Sequence, residues 1–287
     1  MTGGIRQNAA HTIMKNKLVD IQNQPDTRNI PLDRVGVKKL HYPIIVLDRE
    51  KKTQQTTAEI EMSVDLPHMF RGTHMSRFVE ILDSHRGEIT MKTMGPILRH
   101  MKKSLNAQRA EMAVSFLFFI EKTAPISGSK SFLGYPCRFF ASYDGKKSDF
   151  VMTVMVPVTT LCPCSKAISR YSAHNQRSMV SVSLRFSRFI WLEEIIRLVE
   201  DSASAEIFSL VKRPDEKHLT ERAYENPRFA EDMVREVAVK LDKHKDVTWY
   251  TVETENLESI HAHSAYAFIK RDKGREKKKR RSGENGW

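Results

Sequence analysis

Residues 58–66, AEIEMSVDL, alternate between apolar and polar side chains. This period of two is typical of a β-strand with one buried face and one solvated face. The following segments, 74–84 and 90–105, carry apolar residues at the spacing of amphipathic helices. Three more strands are predicted in this half, at 37–47, 109–122 and 137–143. Pro43 indicates an edge strand or a bulge, and the predicted order is strand, strand, helix, helix, strand, strand.

The second half repeats this order without obvious residue identity. Its predicted helices are 191–202 and 227–241, and its predicted strands are 150–158, 179–186, 247–254 and 263–269. We therefore predict an α+β fold of two tandem β-β-α-α-β-β modules, with two packed antiparallel sheets and helices on one face. The predicted divisions are an arm at 1–34, modules at 35–146 and 147–271, and a tail at 272–287.

Composition narrows the class of protein. The chain has 287 residues, of which 40% are hydrophobic and 29% charged, enough for a sizeable core. Neither an apolar run of roughly 20 residues nor a secretory signal is visible, so a membrane or secreted protein is not expected. Three cysteines, at 137, 162 and 164, cannot build a disulfide framework and favour a reducing, cytoplasmic location.

The net charge of +12 is unevenly distributed. Residues 270–287 hold nine basic and three acidic residues, a net of +6, which is half of the total. Such a tail can contact polyanions, but a solvated tail is the simpler interpretation, and nucleic acid is not expected as a partner.

One stretch, 159–177, interrupts the pattern and reads TTLCPCSKAISRYSAHNQR. Long ordered insertions between short strands are usually functional. Cys162 and Cys164 flank Pro163, and His174 follows Cys162 by twelve residues. A thiolate and an imidazole are a plausible start for a zinc-like site, although taken alone the motif is explained more simply by ordinary buried cysteines.

Two further features favour a metal. His261 and His263 form H-A-H at the head of the last predicted strand, where both rings would point to the same face. Glu216 lies in RPDEKHLTER, predicted as a polar loop. A mixed sulfur, nitrogen and oxygen set with an open position suits catalysis better than structure. The alternatives are a polar edge-strand face for the histidines and a solvated acid for Glu216.

Glu231 lies near the start of the helix introduced by Asn226 and Pro227. A carboxylate there is stabilised by the helix dipole, which is sufficient to explain it. The functional alternative is a bidentate acceptor for the N1–H and exocyclic amine of a guanine-like ring.

Long stretches of the chain closely resemble type IB GTP cyclohydrolases over about residues 20–270. They are TTLCPCSKAISRYSAHNQRS, RPDEKHLTERAYENPRFAEDMVRE, ESIHAHSAYA, QNQPDTRNIPLDRVGVKKLHYPI and DLPHMFRGTHMSRFVEIL. The resemblance implies a tunnelling fold, assembled as a homotetramer with active sites between subunits. It also implies opening of GTP at C8, loss of formate and reclosure to 7,8-dihydroneopterin triphosphate, the first step toward tetrahydrofolate.

The resemblance further implies a divalent metal, Zn²⁺, Mn²⁺ or Fe²⁺. The ligands carried over by motif are Cys162, His174, Glu216 and His261, and the guanine anchor is Glu231. Chemistry adds His263 as the group that moves protons at N7 and N9, because a histidine titrates near neutrality. The triphosphate needs cations, for which we consider Lys166, Arg177 and Arg185.

Two rival functions remain open at this point. A nitrile reductase of the same fold would act on a deazaguanine, with a nucleophilic cysteine and NADPH. A binding protein would combine a structural zinc site with an RNA-binding tail, and its folding would depend on metal.

Overall fold

The computed structural model of the chain describes residues 20–22, 24–85 and 88–274. The first nineteen residues of the predicted arm lie outside the described residues, as does the basic tail after residue 274. Within the described ranges, no helix is both long enough and apolar enough to cross a bilayer.

The first half contains four strands and two helices in the predicted order. They are β1 (Leu32–Asp48), β2 (Lys52–Leu66), α1 (Ser76–Ser84), α2 (Met91–Ser104), β3 (Ala110–Thr123) and β4 (Lys130–Tyr143). Helix α2 begins near the predicted residue because Thr90 and Thr93 cap each other. The N–H of Thr93 donates to Thr90 Oγ1 (3.3 Å), and the N–H of Thr90 donates to Thr93 Oγ1 (2.8 Å).

The second half contains more elements than predicted. They are β5 (Ser148–Leu161), α3 (Pro163–Ile168), β6 (Asn175–Phe186), α4 (Leu192–Glu200), β7 (Ala205–Glu206), α5 (Arg213–Glu225), α6 (Ala230–Lys243), β8 (Val247–Asn256) and β9 (Ala265–Asp272). Strands β5 and β6 extend into the stretch predicted as irregular, which shrinks to residues 162–174. Helix α5 was not predicted, because its sequence has almost no apolar periodicity.

The strands form one antiparallel sheet, in the order β1-β2-β3-β4-β5-β6-β8-β9, with β7 beside β5. The prediction of two packed sheets is therefore wrong for the described residues. The halves join because β4 pairs with β5 along seven residues of each strand, for example Phe139 with Met152. Strand β1 lies at one end of this order, in agreement with the prediction from Pro43.

Alternate residues of the strands pack with the buried faces of α1, α2, α4 and α6 in one continuous core. A smaller cluster lies apart from it and contains Leu161, Ala205 and Ala223, with Ala173 and Leu219 against them. Leu161 directly precedes Cys162, and Ala173 directly precedes His174. This cluster therefore supports the segment that carries the predicted chemistry.

Candidate active site

Cys162 and His174 are brought together at the ends of β5 and β6. The N–H of Cys162 donates to the carbonyl oxygen of His174 at 3.1 Å, which closes the loop between them. Cys162 is also the N-cap of α3, and its Sγ accepts the N–H of Ser165 at 3.4 Å. Pro163 occupies the first turn of α3, where it costs no hydrogen bond. The direction of the Cys162 thiol is thus fixed by local structure.

The returning part of this loop is strained. Ser172 has φ of 117°, a backbone conformation that side chains other than glycine rarely adopt. Strain of this kind costs on the order of 1–3 kcal/mol and persists only where the surroundings impose it. Here the surroundings are the closed loop that ends at His174.

The imidazole of His174 is mostly buried, with 15% of its side chain exposed. Its Nδ1 lies 3.0 Å from Gln176 Oε1 and 3.4 Å from Ser259 Oγ. Glu258 Oε2 is 4.0 Å from the same nitrogen. Because these contacts are all made at Nδ1, Nε2 is the nitrogen placed to bind a metal.

His261 and His263 lie in the loop between β8 and β9, not at the head of the last strand as predicted, because β9 begins only at Ala265. Their rings nevertheless stack, with centroids 5.1 Å apart and planes at 23°. Both residues are exposed. The same loop carries Ser259, whose Oγ lies 3.4 Å from His174 Nδ1. The two histidines therefore follow closely, along the chain, a residue that contacts the Cys162–His174 loop.

Glu216 lies in the first turn of α5, so the prediction of a loop is wrong. It shares a helix face with Leu219 and Ala223, which pack in the small cluster beneath Cys162 and His174. The preceding residue, Asp215, is fully buried and fixes this end of the helix. Its carboxylate accepts the N–H groups of residues 126, 127 and 212 at 2.8–2.9 Å.

Burial alone would raise the pKa of the Asp215 carboxyl group. The hydrogen bonds that it accepts more than offset this effect and hold its pKa well below the ordinary value. Asp215 is therefore ionised while it anchors α5.

Glu231 lies in the first turn of α6 and is exposed, as the dipole interpretation and the guanine-anchor hypothesis both require. The helix begins at Ala230, three residues after the Pro227 that the sequence marked as its start. The N–H of Arg228 donates to the carbonyl oxygen of Leu161 at 2.9 Å. This bond places the start of α6 next to the end of β5 and hence near Cys162.

The three candidate phosphate-binding cations have different surroundings. Lys166 Nζ donates to the backbone carbonyl oxygen of Tyr224 at 2.5 Å and lies 4.2 Å from the centroid of the Tyr224 ring. Lys166 therefore contacts the end of α5. Arg177 is exposed at the start of β6, beside the loop. Arg185 is not part of this site: Asp149 holds it with contacts of 2.6 and 2.7 Å, about 26 Å further along β6.

One chain does not gather all four predicted ligands. In the described part of a single chain, no three His, Cys, Asp or Glu side chains meet closely enough to hold a metal ion. The donors nevertheless suit Zn²⁺, Mn²⁺ or Fe²⁺, because thiolate, imidazole and carboxylate are their usual ligands. His174 also fits, since its Nδ1 is already hydrogen-bonded. The ligand set stays a prediction.

The model of the family described as "Type I GTP cyclohydrolase folE2" matches residues 18–267. The chain belongs to this family. Among curated relatives, GTP cyclohydrolase FolE2 of Geobacter metallireducens is 56% identical over 88% of this chain and 97% of its own length. The protein of the same name from Syntrophus aciditrophicus is 54% identical, over 89% of this chain and 100% of its own. These comparisons support the cyclohydrolase interpretation and give no support to a nitrile reductase.

A solved structure similar to this FolE2 family member is a hyperthermostable mutant of urate oxidase from Bacillus sp. TB-90. It has a TM-score of 0.50 and 9% identity, over 84% of this chain and 98% of that chain. At this identity the likeness concerns the fold alone. It agrees with an α+β fold built on an antiparallel sheet.

Sequence reasoning missed the roles of Gln176 and Glu258, whose side-chain oxygens lie near His174 Nδ1 together with that of Ser259. A signal for Gln176 was present. It lies in phase with the buried residues Val180, Val182 and Leu184 of β6, so a polar side chain there must have a buried partner. Glu258 gave no such signal, because it lies in a loop.

Proposed function

We propose that the chain is a type IB GTP cyclohydrolase I. It would hydrolyse GTP at C8 of the imidazole ring, release formate and reclose the ring to 7,8-dihydroneopterin triphosphate, the first step of tetrahydrofolate biosynthesis. The observation that carries this proposal is the family match over residues 18–267, which includes the whole Cys162–His174 loop. The geometry supports it, because that loop is closed and lies against the loop with His261 and His263.

A divalent metal is part of the proposal, with Cys162, His174, Glu216 and His261 as ligands. When bound, the metal would lower the pKa of water toward about 7 and so make hydroxide available at neutral pH for attack at C8. Cys162 is oriented for this role by the N–H of Ser165, and His174 by its contacts at Nδ1. Cys162 therefore also counts as a catalytic residue.

The other roles follow from side-chain chemistry. The Glu231 carboxylate accepts the N1–H and exocyclic amine of guanine, and its exposure leaves both oxygens accessible. His263 moves protons at N7 and N9, and its stacking on His261 holds its ring next to a proposed ligand. Lys166 and Arg177 bind the triphosphate, since each lies on or beside the loop.

We also propose that the chain has a tunnelling fold with tandem modules at 35–146 and 147–271, assembled as a homotetramer with interfacial active sites. Large apolar side chains surround the candidate site and face solvent in one chain. They are Ile168 (80% exposed), Tyr171 (81%) and Ile260 (65%). Large apolar side chains exposed on neighbouring loops would be covered in an interface, and a second subunit would bring further ligands to the site. A reducing cytoplasm would keep the thiols of Cys162 and Cys164 free.

The test is to incubate the purified protein with GTP and, separately, Mn²⁺, Zn²⁺ or Fe²⁺, and to follow pterin fluorescence. Fluorescence should appear with at least one metal and be abolished in Cys162→Ala, which should also lose metal. Cys164→Ala should retain metal.

A chain shortened by residues 272–287 should turn over GTP like the full chain. Absence of fluorescence with every metal, or NADPH oxidation with a deazaguanine nitrile, would refute the proposal.

A further inference from the structure

A hydrogen-bonded network of buried polar side chains runs from His174 through three neighbouring strands. It links residues at the ends of β5, β6 and β8 that are each less than a tenth exposed: Gln176 (7%), Thr160 (0%), Ser178 (0%) and Asn256 (2%). Buried polar groups in a sheet are costly unless they are paired. A continuous series of them directly beneath a proposed metal ligand therefore calls for a specific role.

In this network, the donor and the acceptor of each hydrogen bond can be assigned. Ser178 Oγ donates to Asn256 Oδ1 at 2.7 Å, so its only proton is used there. The 2.7 Å contact between Thr160 and Ser178 must then use the Thr160 proton. Thr160 Oγ1 in turn accepts from Gln176 Nε2 at 3.0 Å. The amide nitrogen of Gln176 thus faces Thr160, and its oxygen faces His174.

This direction sets the protonation of the imidazole ring. Gln176 Oε1 lies 3.0 Å from His174 Nδ1 and can only accept, so Nδ1 carries the proton. In neutral imidazole the other nitrogen, Nε2, then has the free lone pair that binds a metal. Ser259 Oγ and Glu258 Oε2 face the same nitrogen at 3.4 and 4.0 Å, so Gln176 makes the shortest contact.

We propose that Gln176 is the positioning residue of His174, held by Thr160, Ser178 and Asn256 so that its amide oxygen fixes the Nδ1–H tautomer and aims Nε2 at the metal. The inference rests on the proposed function, which assigns His174 as a ligand. Partners of this kind behind a ligating histidine typically contribute 10–100-fold in metal affinity. Gln176 itself does not contact metal or substrate.

The test measures Zn²⁺ affinity by competition with a chromophoric chelator, which needs no turnover. Gln176→Leu removes the acceptor while it keeps a similar volume, and should weaken Zn²⁺ binding about 10–100-fold. Gln176→Glu loses the N–H to Thr160 but keeps an acceptor oxygen for Nδ1–H, and should bind Zn²⁺ more tightly than Gln176→Leu. A purely structural role would not give this rescue.

Two threonine variants provide a matched pair. Thr160→Val removes the acceptor of Gln176 and should weaken Zn²⁺ binding several-fold. Thr153 makes an equivalent cross-strand contact, 2.8 Å to Ser183, on the same two strands but away from His174. Thr153→Val should leave Zn²⁺ affinity unchanged. If Gln176→Leu does not fold, this pair decides the question, and equal affinities would overturn the proposal.

The remaining outcomes separate the two proposals. If His174→Ala abolishes Zn²⁺ binding while Gln176→Leu binds like the wild type, the positioning role is wrong and the metal assignment stands. If His174→Ala binds Zn²⁺ like the wild type, the ligand assignment itself is wrong, and the positioning role falls with it.

Discussion

At the scale of single residues, the three cysteines have different surroundings although all are free thiols. Cys137 is buried in the core, where burial raises the pKa of its thiol far above the ordinary value. Cys164 is exposed on α3. Since the thiolate is the reactive form, the two residues should differ strongly in reactivity.

We expect iodoacetamide to modify Cys164 in the native, metal-free protein and to leave Cys137 unmodified until the protein is denatured. Peptide mass spectrometry at several times gives the rate for each residue. The account of the core would be contradicted if Cys137 were modified as fast as Cys164 under native conditions.

Ser172 supplies a second prediction at this scale. Glycine adopts φ of 117° without strain, so Ser172→Gly should raise the free energy of unfolding by up to about 1 kcal/mol. Ser172→Val should lower it, because a branched side chain tolerates that conformation least. Urea denaturation of the metal-free variants measures both changes. Equal stability of the two variants would show that the strain is absent.

Sequence reasoning at the residue scale identified chemistry better than position. It paired Cys162 with His174 from a spacing of twelve residues, and their backbones do meet at 3.1 Å. It could not place Glu258 near His174, because that contact depends on how the β8–β9 loop folds back over the site.

At the scale of elements, the periodic segments were predictable and the irregular ones were not. Helix α2 carries a clear apolar stripe and was predicted to within a residue at each end. Helix α5 buries only Asp215 and Ala223, and its position depends on the hydrogen bonds of Asp215 to a distant loop. A tertiary contact of this kind leaves no periodic trace in the sequence.

Two glycines test the packing of these elements. In β1, a Cβ at Gly36 would lie 1.9 Å from the Met62 carbonyl oxygen, so Gly36→Ala should lower the free energy of unfolding by about 1–3 kcal/mol or more. In α2, a Cβ at Gly95 would meet only Arg99 Nη1, at 3.6 Å. Gly95→Ala should therefore raise stability by about 0.5–1 kcal/mol. Thermal unfolding of both variants checks the pair, and a stable Gly36→Ala protein would contradict the close approach of β1 and β2.

At the scale of the whole molecule, a buried ionic cluster joins the two halves. Lys122 on β3 lies 2.7 Å from both Glu200 on α4 and Glu206 on β7. Tyr135 on β4 donates to Glu200 at 2.7 Å. Burial raises the pKa of Glu200. Burial would also raise the pKa of Glu206, but the bonds of Glu206 to Lys122 and Arg222 outweigh this effect and lower its pKa.

We expect Lys122→Met to lower the free energy of unfolding at pH 7 by about 3–5 kcal/mol, because Glu200 is left buried without a cation and Glu206 keeps only Arg222. The buried Glu200 carboxyl group should then have a pKa raised further in the folded state, so the folded state binds more protons than the unfolded state. The stability of the variant should therefore increase from pH 7 toward pH 5, relative to the wild type.

The control is Lys217→Met on α5, where Lys217 pairs with Glu221 at the surface. This change should cost no more than about 0.5 kcal/mol, with little dependence on pH. Urea denaturation at the two pH values measures both variants. Similar losses in the two would mean that the cluster does not hold the halves together.

The sequence predicted the order of strands and helices in the first half and the longer strands and two helices of the second, but not that the halves would share one sheet. That outcome depends on the pairing of β4 with β5. Alternation of apolar and polar residues predicts each strand but not its partner, so the same sequences could have formed two sheets in which β4 and β5 are unpaired edge strands. The same is true of the candidate site. The sequence indicated which residues could take part, but it could not predict the distances between them.

The most direct measurement follows the carbon at C8. GTP labelled with ¹³C at C8 is incubated with the protein and a divalent metal, and the products are identified by NMR and mass spectrometry. We predict that the label appears in formate, one-for-one with unlabelled 7,8-dihydroneopterin triphosphate. Label that remains in the nucleotide, or a pterin formed without labelled formate, would contradict the account.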